Sequence, residues 1–377
     1  MIDLNKIYNE SCLDTLARMP DDFLDCVVTS PPYYGLRDYG HPGQLGLEPT
    51  FQEYIAKLIN IFREVKRCLK PTGSVWVNLG DSYSGSGKGP EGNLSNGANF
   101  RHLETVAKTQ DKTLRPKSLM NIPARFAIAM TDELGFIQRN EIIWQKPSCM
   151  PFSGKDRFTV DFEPIFFFTK NEKYYFEQQL EPTLTFDYSN RDRDTSKLNN
   201  TPGRTRMAGL QTNAYEMKNK RTTWSVPFEP SSAEHYASYP TKLIITPILA
   251  TCPAEICNKC KKPREQVIER TTELSSGSGK SGRVPIGKNS GTAQAESGDY
   301  DIRMVPKSIV TFGDKTDCGC DAGFHSGIVY DPFTGTATTQ VVAHKLGRAW
   351  IGSELSTEYY DIANRRLEPL LAQESLF

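Results

Sequence analysis

Two short segments carry the chemistry that can be read from residue types. Thr29-Ser30-Pro31-Pro32-Tyr33 closes one apolar run, and Asp331-Pro332-Phe333-Thr334-Gly335-Thr336-Ala337-Thr338-Thr339 closes another about three hundred residues later. In the first, two prolines fix φ and remove two N–H groups, so nearby carbonyls meet no competing local donor. A carbonyl of Pro31 or Pro32 and the Ser30 hydroxyl can accept hydrogen bonds from a planar –NH2. Such bonds keep the nitrogen lone pair out of the ring and make the amine a better nucleophile. Tyr33 adds a flat face for a base removed from its stack. In the second segment, Gly335 lets backbone approach a ligand, and the helix that follows offers unpaired N–H groups. Glu354 ends the next strand, where an acid can accept from both hydroxyls of a ribose.

A third group is made of sulfur. Cys257-Asn258-Lys259-Cys260 is a C-x2-C knuckle and Cys318-Gly319-Cys320 a C-x-C pair. Two thiolate pairs joined by a flexible loop can close one tetrahedral zinc site, with Cys252 as a further candidate. Free thiols or an air-formed disulfide are the alternatives. Cys12, Cys26, Cys68 and Cys149 read as packing residues.

Regular elements must hold these groups in place. Lys6–Asn9 is a short strand with a helical turn after it, and Asp25–Thr29 is a buried strand. Thr50-Phe51-Gln52-Glu53 has capping-box spacing and opens a helix whose apolar face is Tyr54, Leu58, Phe62, Val65 and Leu69; Lys70–Gly73 stops it. Ser74–Leu79 is the next strand. Strand, helix, strand is the grammar of a doubly wound parallel sheet. Gly80 to about Lys112 is a long polar loop. A helix opening at Pro123 and strands at 140–144 and 164–169 follow. From Glu181 to Thr223 aliphatic residues are few, and Thr271–Ser297 is a Gly/Ser-rich insert. The last segment regains regular spacing: strand 327–330, helix 338–346, strand 349–352 and a final amphipathic helix over 359–371.

The 377 residues can bury a substantial core, and Lys+Arg (45) balance Asp+Glu (45), so no global basic field points to nucleic acid. A neutral average still permits a basic face. No run spans a bilayer and the start lacks a signal-peptide pattern, which with 9 cysteines, an odd count, fits a reducing cytoplasm and no membrane partner.

Taken with their order, Ser30-Pro31-Pro32-Tyr33 first and the Asp331 loop last, these residues resemble the β class of DNA amino-methyltransferases, which act on cytosine N4 or adenine N6. Tyr8-Asn9-Glu10-Ser11-Cys12-Leu13 is similar to the family segment at the cofactor adenine, Leu79-Gly80-Asp81-Ser82-Tyr83 follows the expected strand, and His235 to Leu243 is similar to the family's helix-start motif. The likeness covers roughly the first 175 residues and most of the chain after Thr223. One departure is Ala337, where the family has glycine; a tolerated change with slightly altered packing is expected. Another is Ser11, where the family has an acid, with Glu10 beside it.

The resemblance implies an α/β fold, a Rossmann-like S-adenosylmethionine-dependent methyltransferase sheet with a polar target-recognition insert, and the cysteine spacing adds the expectation of a zinc-bound insert. It implies a catalytic half at 1–177, a target recognition insert at 178–223, a methionine-side motif at 224–251, a Cys-rich insert at 252–320 and a cofactor-binding half at 321–377. Catalytic roles fall to Ser30, Pro31, Pro32 and Tyr33. Cofactor contacts fall to Ser11, Cys12, Asp331, Phe333, Thr334, Gly335, Thr336, Thr338, Thr339 and Glu354, with Thr241 and Lys242 on the methionine side. Double-stranded DNA is the implied partner, met by Arg191, Arg193, Lys197, Arg204, Arg206, Lys218, Lys220 and Arg221 of the recognition insert, with a cognate restriction endonuclease as a second partner. Serine ahead of the prolines leans toward N4 of cytosine, with N6 of adenine the alternative and RNA or protein methylation more distant.

Overall fold

The computed structural model describes residues 2–85, 114–152, 154–182, 217–229, 239–276, 283–285, 300–302 and 304–374. They divide into two compact units. The first comprises Met1–Glu177, Arg221–Arg264 and Asp317–Phe377, the second Gln178–Lys220 and Glu265–Thr316. Arg191, Arg193, Lys197, Arg204, Arg206 and the 235–238 part of the helix-start motif lie outside the described residues.

Both apolar runs before the motifs form strands. In chain order the first half contains β1 (Lys6–Tyr8), α1 (Cys12–Arg18), β2 (Leu24–Thr29), α2 (Phe51–Cys68), β3 (Leu69–Asn78), α3 (Ile122–Asp132), β4 (Ile137–Gln145) and β5 (Phe162–Thr169). Next come β6 (Leu180–Pro182), β7 (Met217–Asn219), β8 (Thr223–Ser225), α4 (Thr241–Thr251), β9 (Ile256–Cys257), β10 (Gln266–Ser276), β11 (Arg283–Pro285), β12 (Tyr300–Ile302) and β13 (Met304–Lys315). The chain closes with β14 (Phe324–His325), β15 (Ile328–Asp331), α5 (Thr338–Lys345), β16 (Ala349–Ser353) and α6 (Thr357–Glu374).

Eight strands of the first unit form one sheet in the order β1-β16-β15-β2-β3-β5-β4-β8. Neighbours are parallel except at β5, which runs antiparallel to both β3 and β4. The sheet is therefore mostly parallel, as the strand–helix–strand order of the sequence implies, with β5 the one antiparallel strand among those described. β5 is buried on both faces: Phe166 and Phe168 enter one core and Ile165 and Phe167 the other, as the period of two requires. Trp76 stacks on Phe167 with ring centroids 4.1 Å apart.

The capping box at Thr50 forms, its hydroxyl accepting from the Glu53 N–H at 3.2 Å. The stop at Lys70–Gly73 is not a free turn, because β3 starts at Leu69, directly after α2. Leu24 pairs with Leu69 and Cys26 with Ser74, so the residues between them bulge from the ladder.

The chain leaves β2 toward β3 and leaves β15 toward β16, so strand order reverses between β2 and β15. Such a switch point opens a crevice at the carboxyl ends of the strands. Asp25 ties the pair together at the opposite end. Its buried carboxylate accepts from the Ile328 N–H at 2.9 Å and from Lys70 Nζ at 2.7 and 2.8 Å.

In the second unit, β10 and β13 pair antiparallel from Gln266↔Lys315 to Ser276↔Met304. This ladder runs into the Gly/Ser-rich stretch that begins at Thr271. β6 pairs with β7 and β11 with β12, also antiparallel.

Candidate active site

Ser30–Tyr33 leaves the end of β2 and Asp331–Thr336 the end of β15, and the two strands pair at Val329↔Cys26 and Tyr330↔Val27. Thr29 Oγ1 donates to Asp331 Oδ1 at 2.6 Å, a direct bond between segments 302 residues apart. Ser30, Pro31, Pro32 and Tyr33 line the same cavity as Phe333, Thr334, Gly335, Thr336, Thr338 and Glu354. Its volume is about 650 Å³, within the range of small-molecule sites.

Side chains inside the Asp331 loop bind one another. Buried Asp331 accepts from Thr29, from the Phe333 N–H (3.0 Å), from Thr339 Oγ1 (2.7 Å) and from Tyr239 Oη (3.2 Å). Burial raises the Asp331 carboxyl above its ordinary range against those donors. Thr334 N–H donates to the Ser353 carbonyl at 3.0 Å. A Cβ on Gly352 would lie 2.4 Å from Thr334 Oγ1, so only glycine fits there. Arg366 of α6 donates to the Thr336 carbonyl (3.0 Å) and to Thr338 Oγ1 (2.9 Å). Ala337 adopts φ +64° with its side chain fully buried. Its methyl therefore costs more in backbone conformation than in packing, which is why glycine suits this position.

Glu354 faces the cavity. Its Oε2 accepts from the Gly335 N–H at 2.7 Å and its Oε1 from the Ser356 N–H at 2.9 Å. Burial pushes its carboxyl up to about 7, against those backbone donors. Each oxygen keeps a lone pair for a further donor.

In the other segment one backbone acceptor is left open. The Pro32 carbonyl accepts from Tyr54 Oη at 2.7 Å, but the Pro31 carbonyl accepts no hydrogen bond among the described residues. Tyr33 Oη donates to Glu163 Oε2 at 2.7 Å, with Asn78 Oδ1 at 3.0 Å, and Ser30 Oγ lies 3.4 Å from that same phenol oxygen. Glu163 is ion-paired with Lys146. Burial raises the Tyr33 phenol well above its usual value, and the Glu163 charge adds to this. The Tyr33 ring lies against Gly80, where a Cβ would come within 2.4 Å of it. Glycine in Leu79-Gly80-Asp81 thus makes room for the tyrosine.

Residues 24–255 and 321–365 match the DNA methylase family. The chain is 30% identical over 362 residues to the type II methyltransferase M.Cfr9I of Citrobacter freundii, covering 96% of this chain and 87% of that protein. It is 30% identical over 401 residues to the type II methyltransferase M.SfiI of Streptomyces fimbriatus, covering 94% of this chain and 88% of that one. The chain belongs to the DNA methylase family. Among solved structures, PvuII DNA methyltransferase (cytosine-N4-specific) has the same fold, with a TM-score of 0.51 at 18% identity, covering 99% of this chain and 92% of that one.

This DNA methylase places most of the sequence-predicted residues on one cavity wall. Ser11 and Cys12 are there, with the Ser11 hydroxyl also capping α1 by accepting from the Leu13 N–H at 3.3 Å. Glu10 lines it too, its carboxylate bound to Thr15 Oγ1 at 2.7 Å and paired with Arg18. Asp331 and Thr339 stand behind the wall and hold the loop. Thr241 and Lys242 are also off the wall, at the start of α4, where the Thr241 hydroxyl and the Lys242 N–H both donate to Glu229.

Sequence reasoning passed over Trp144, Lys146, Glu163 and Phe228, which line the cavity together. Trp144 and Phe228 meet edge to face at 5.5 Å, and Lys146 Nζ lies 4.7 Å from the Trp144 ring centroid. Arg37 also lines it, with Nη1 buried and without a hydrogen-bond partner among the described residues. Lys146 directly follows a strand and Glu163 opens one. Nothing in their spacing ties either to Tyr33.

Among the described residues no helix is long and apolar enough to cross a membrane.

Proposed function

We propose that this DNA methylase transfers a methyl group from S-adenosylmethionine to N4 of cytosine in double-stranded DNA. The carrying observation is the meeting of Ser30–Tyr33 with the Asp331 loop and Glu354 around one cavity. Glu354, the Gly335 backbone, Phe333, Thr336 and Thr338 would hold the cofactor's adenosyl part, with Ser11 and Cys12 beside them. Bound there, S-adenosylmethionine supplies an electrophilic methyl on a sulfonium.

The remaining work belongs to this chain. The target base is turned out of the duplex and packs on Tyr33. Ser30 Oγ and the Pro31 carbonyl accept from its exocyclic amine. A serine hydroxyl can be an acceptor there only if its own proton points elsewhere. Here Tyr33 Oη can take it, because Tyr33 gives its own proton to Glu163 Oε2. A nitrogen that gains a methyl must also shed a proton. Ser30 can accept that proton while passing its own to Tyr33, and Tyr33 can pass its own to Glu163. Lys146 pairs with Glu163 at the end of this route. Catalysis then rests on positioning and on charge placement.

Serine ahead of the prolines supports cytosine, and the solved PvuII enzyme that shares the fold is described as cytosine-N4-specific. Lys146 adds a physical reason: its ammonium can donate to the cytosine O2, where adenine presents only a C–H. Residues 178–223 read the DNA sequence in this proposal. Of their basic side chains Lys218, Lys220 and Arg221 are described; Lys218 pairs with Glu181 at 3.5 Å, and the Lys220 N–H donates to the Gln179 carbonyl at 2.9 Å. The segments 224–251 and 321–377 complete the cofactor side, and a restriction endonuclease of the same specificity would be the cognate partner.

Nucleoside mass spectrometry of duplex DNA incubated with enzyme and methyl-labelled S-adenosylmethionine tests this. Labelled N4-methylcytosine is the expected product. N6-methyladenine would replace the base assignment, and label appearing only in RNA or protein would overturn the function.

A further inference from the structure

The DNA methylase reaction makes no use of the cysteine knuckles, yet the fold brings them together. The sulfurs of Cys257, Cys260, Cys318 and Cys320 all lie within 4.8 Å of one another. They come from two segments of the first unit, where the chain leaves toward residues 265–316 and where it returns. We propose that these four thiolates hold one structural zinc ion.

The surroundings fit a tetrathiolate. A zinc ion with Zn–S bonds of about 2.3 Å places its four sulfurs ~3.8 Å apart, so the observed grouping needs only a slight contraction. β9 and β14 pair through Cys257↔Phe324 and Ile256↔His325, and the Asn258 N–H donates to the Gly323 carbonyl at 3.0 Å. The two knuckles are therefore joined by backbone bonds that do not depend on a metal. Each knuckle turns tightly, with Lys261 at φ +59° and Gly319 at φ +64°. Backbone N–H groups of Lys259 and Cys260 point at the Cys257 sulfur, and that of Cys320 points at Cys318. Such donors neutralise part of the negative charge that four thiolates place on one ion. Lys259, Lys261 and Lys262 follow in the same loop.

Geometry also selects among the other thiols. Cys252 has no exposed surface and packs against Gly327, where a Cβ would lie 2.8 Å from its sulfur. It belongs to the apolar core with Cys26, so the fifth candidate is not a ligand. Cys260 is exposed and Cys318 and Cys320 half-exposed, so an ion can reach the site from solvent.

The site closes a long excursion. With both knuckles bound, the chain between Cys260 and Cys318 is held at both ends in the folded protein and in any partly unfolded state that keeps the metal. That is how a cross-link stabilises through the unfolded ensemble.

Metal analysis of the full-length enzyme, purified under reducing conditions without added metal, tests the assignment. About one zinc per chain is expected. Replacement by cobalt should give the sulfur-to-metal charge-transfer and ligand-field bands of a tetrahedral thiolate site. The Cys318→Ser/Cys320→Ser double variant should lose both signatures. It should also lose the chelator-sensitive part of the wild-type thermal stability, and it should still bind S-adenosylmethionine. Because an unfolded variant would lose metal trivially, thiol titration of the native wild-type enzyme with and without chelator gives a second readout. Four thiols should become reactive only when the metal is withdrawn. Metal-free native protein, an intramolecular disulfide found by mass, iron in place of zinc, or a variant that keeps its metal would each overturn the proposal.

Discussion

The loops after β2 and β15 leave adjacent parallel strands side by side and behave in opposite ways. In the Asp331 loop, Asp331, Thr334, Thr336, Thr338 and Thr339 hydrogen-bond to one another and to Thr29, Val28, Ser353 and Arg366, so protein groups alone hold its shape. In the Ser30 loop the Pro31 carbonyl is open and the Ser30 proton has a route away from the cavity. A loop that must bind gains from rigidity. A loop that must hold a reacting amine has to leave lone pairs unoccupied. The same strand-end geometry serves both because proline removes donors in one place and threonine supplies them in the other.

Changes on each side should separate these duties. Tyr33→Ala removes the base-stacking face and the link to Glu163. Turnover should fall ~10²–10³-fold with little change in cofactor affinity, measured by single-turnover methyl transfer and by titration calorimetry. Loss of cofactor binding in that variant would merge the two loops into one functional unit. On the other side, Glu354→Ala should weaken S-adenosylmethionine binding by about 10–100-fold, since two hydrogen bonds to a charged acceptor are lost. An unaltered dissociation constant would remove the ribose contact.

Glu354 also makes binding depend on pH. A ribose hydroxyl donates to the carboxylate and so favours the charged form, whereas burial in the free protein holds the carboxyl near 7. Affinity should therefore rise as pH climbs through about 7 and fall by up to about tenfold per pH unit below it. Stability of the free protein should move the other way. The folded carboxyl is raised above its unfolded value, so the folded state holds the extra proton between the ordinary carboxyl range and about 7, and stability declines as pH rises through that window. Glu354→Gln should raise the melting temperature at pH 8 while weakening the cofactor; a variant that melts lower at pH 8 would show that the buried charge is no burden.

Glu163→Gln keeps the shape but removes the anionic end of the proton route. A loss of ~10-fold in single-turnover rate is expected, with DNA and cofactor affinities kept and with partial recovery in Glu163→Asp. Equal rates in all three proteins would leave Glu163 a packing partner of Lys146. The smallest effect concerns Ala337. Relief of its left-handed backbone in Ala337→Gly should stabilise the fold by ~1 kcal/mol in denaturant titration, and a loss of stability would mean that the buried methyl matters more.

Much of this was legible in the sequence because its parts are local. The strand ends, the capping box at Thr50 and the Gly335 turn each announce themselves within a few residues. The pairing of β2 with β15 could be read only through motif order, yet it is what puts Ser30 beside Glu354. The antiparallel β5 was not legible, since Phe162–Thr169 is apolar on both faces and carries no mark of direction. Nor was the Tyr33–Glu163–Lys146 chain, whose members come from different strand ends. The β10–β13 ladder was obscured by composition, since its pairing joins residues 266–276 to 304–315 across a stretch rich in Gly and Ser, and that cross-strand register leaves no local mark in the sequence.

The central claim is that one cleft divides binding and activation between its two loops. Ser30→Ala tests it most directly, with methyl-transfer rate and S-adenosylmethionine dissociation constant measured on the same preparation. The account predicts a rate lower by ~10² or more at an unchanged dissociation constant; a rate near that of the wild type, or a loss of affinity equal to the loss of rate, would contradict it.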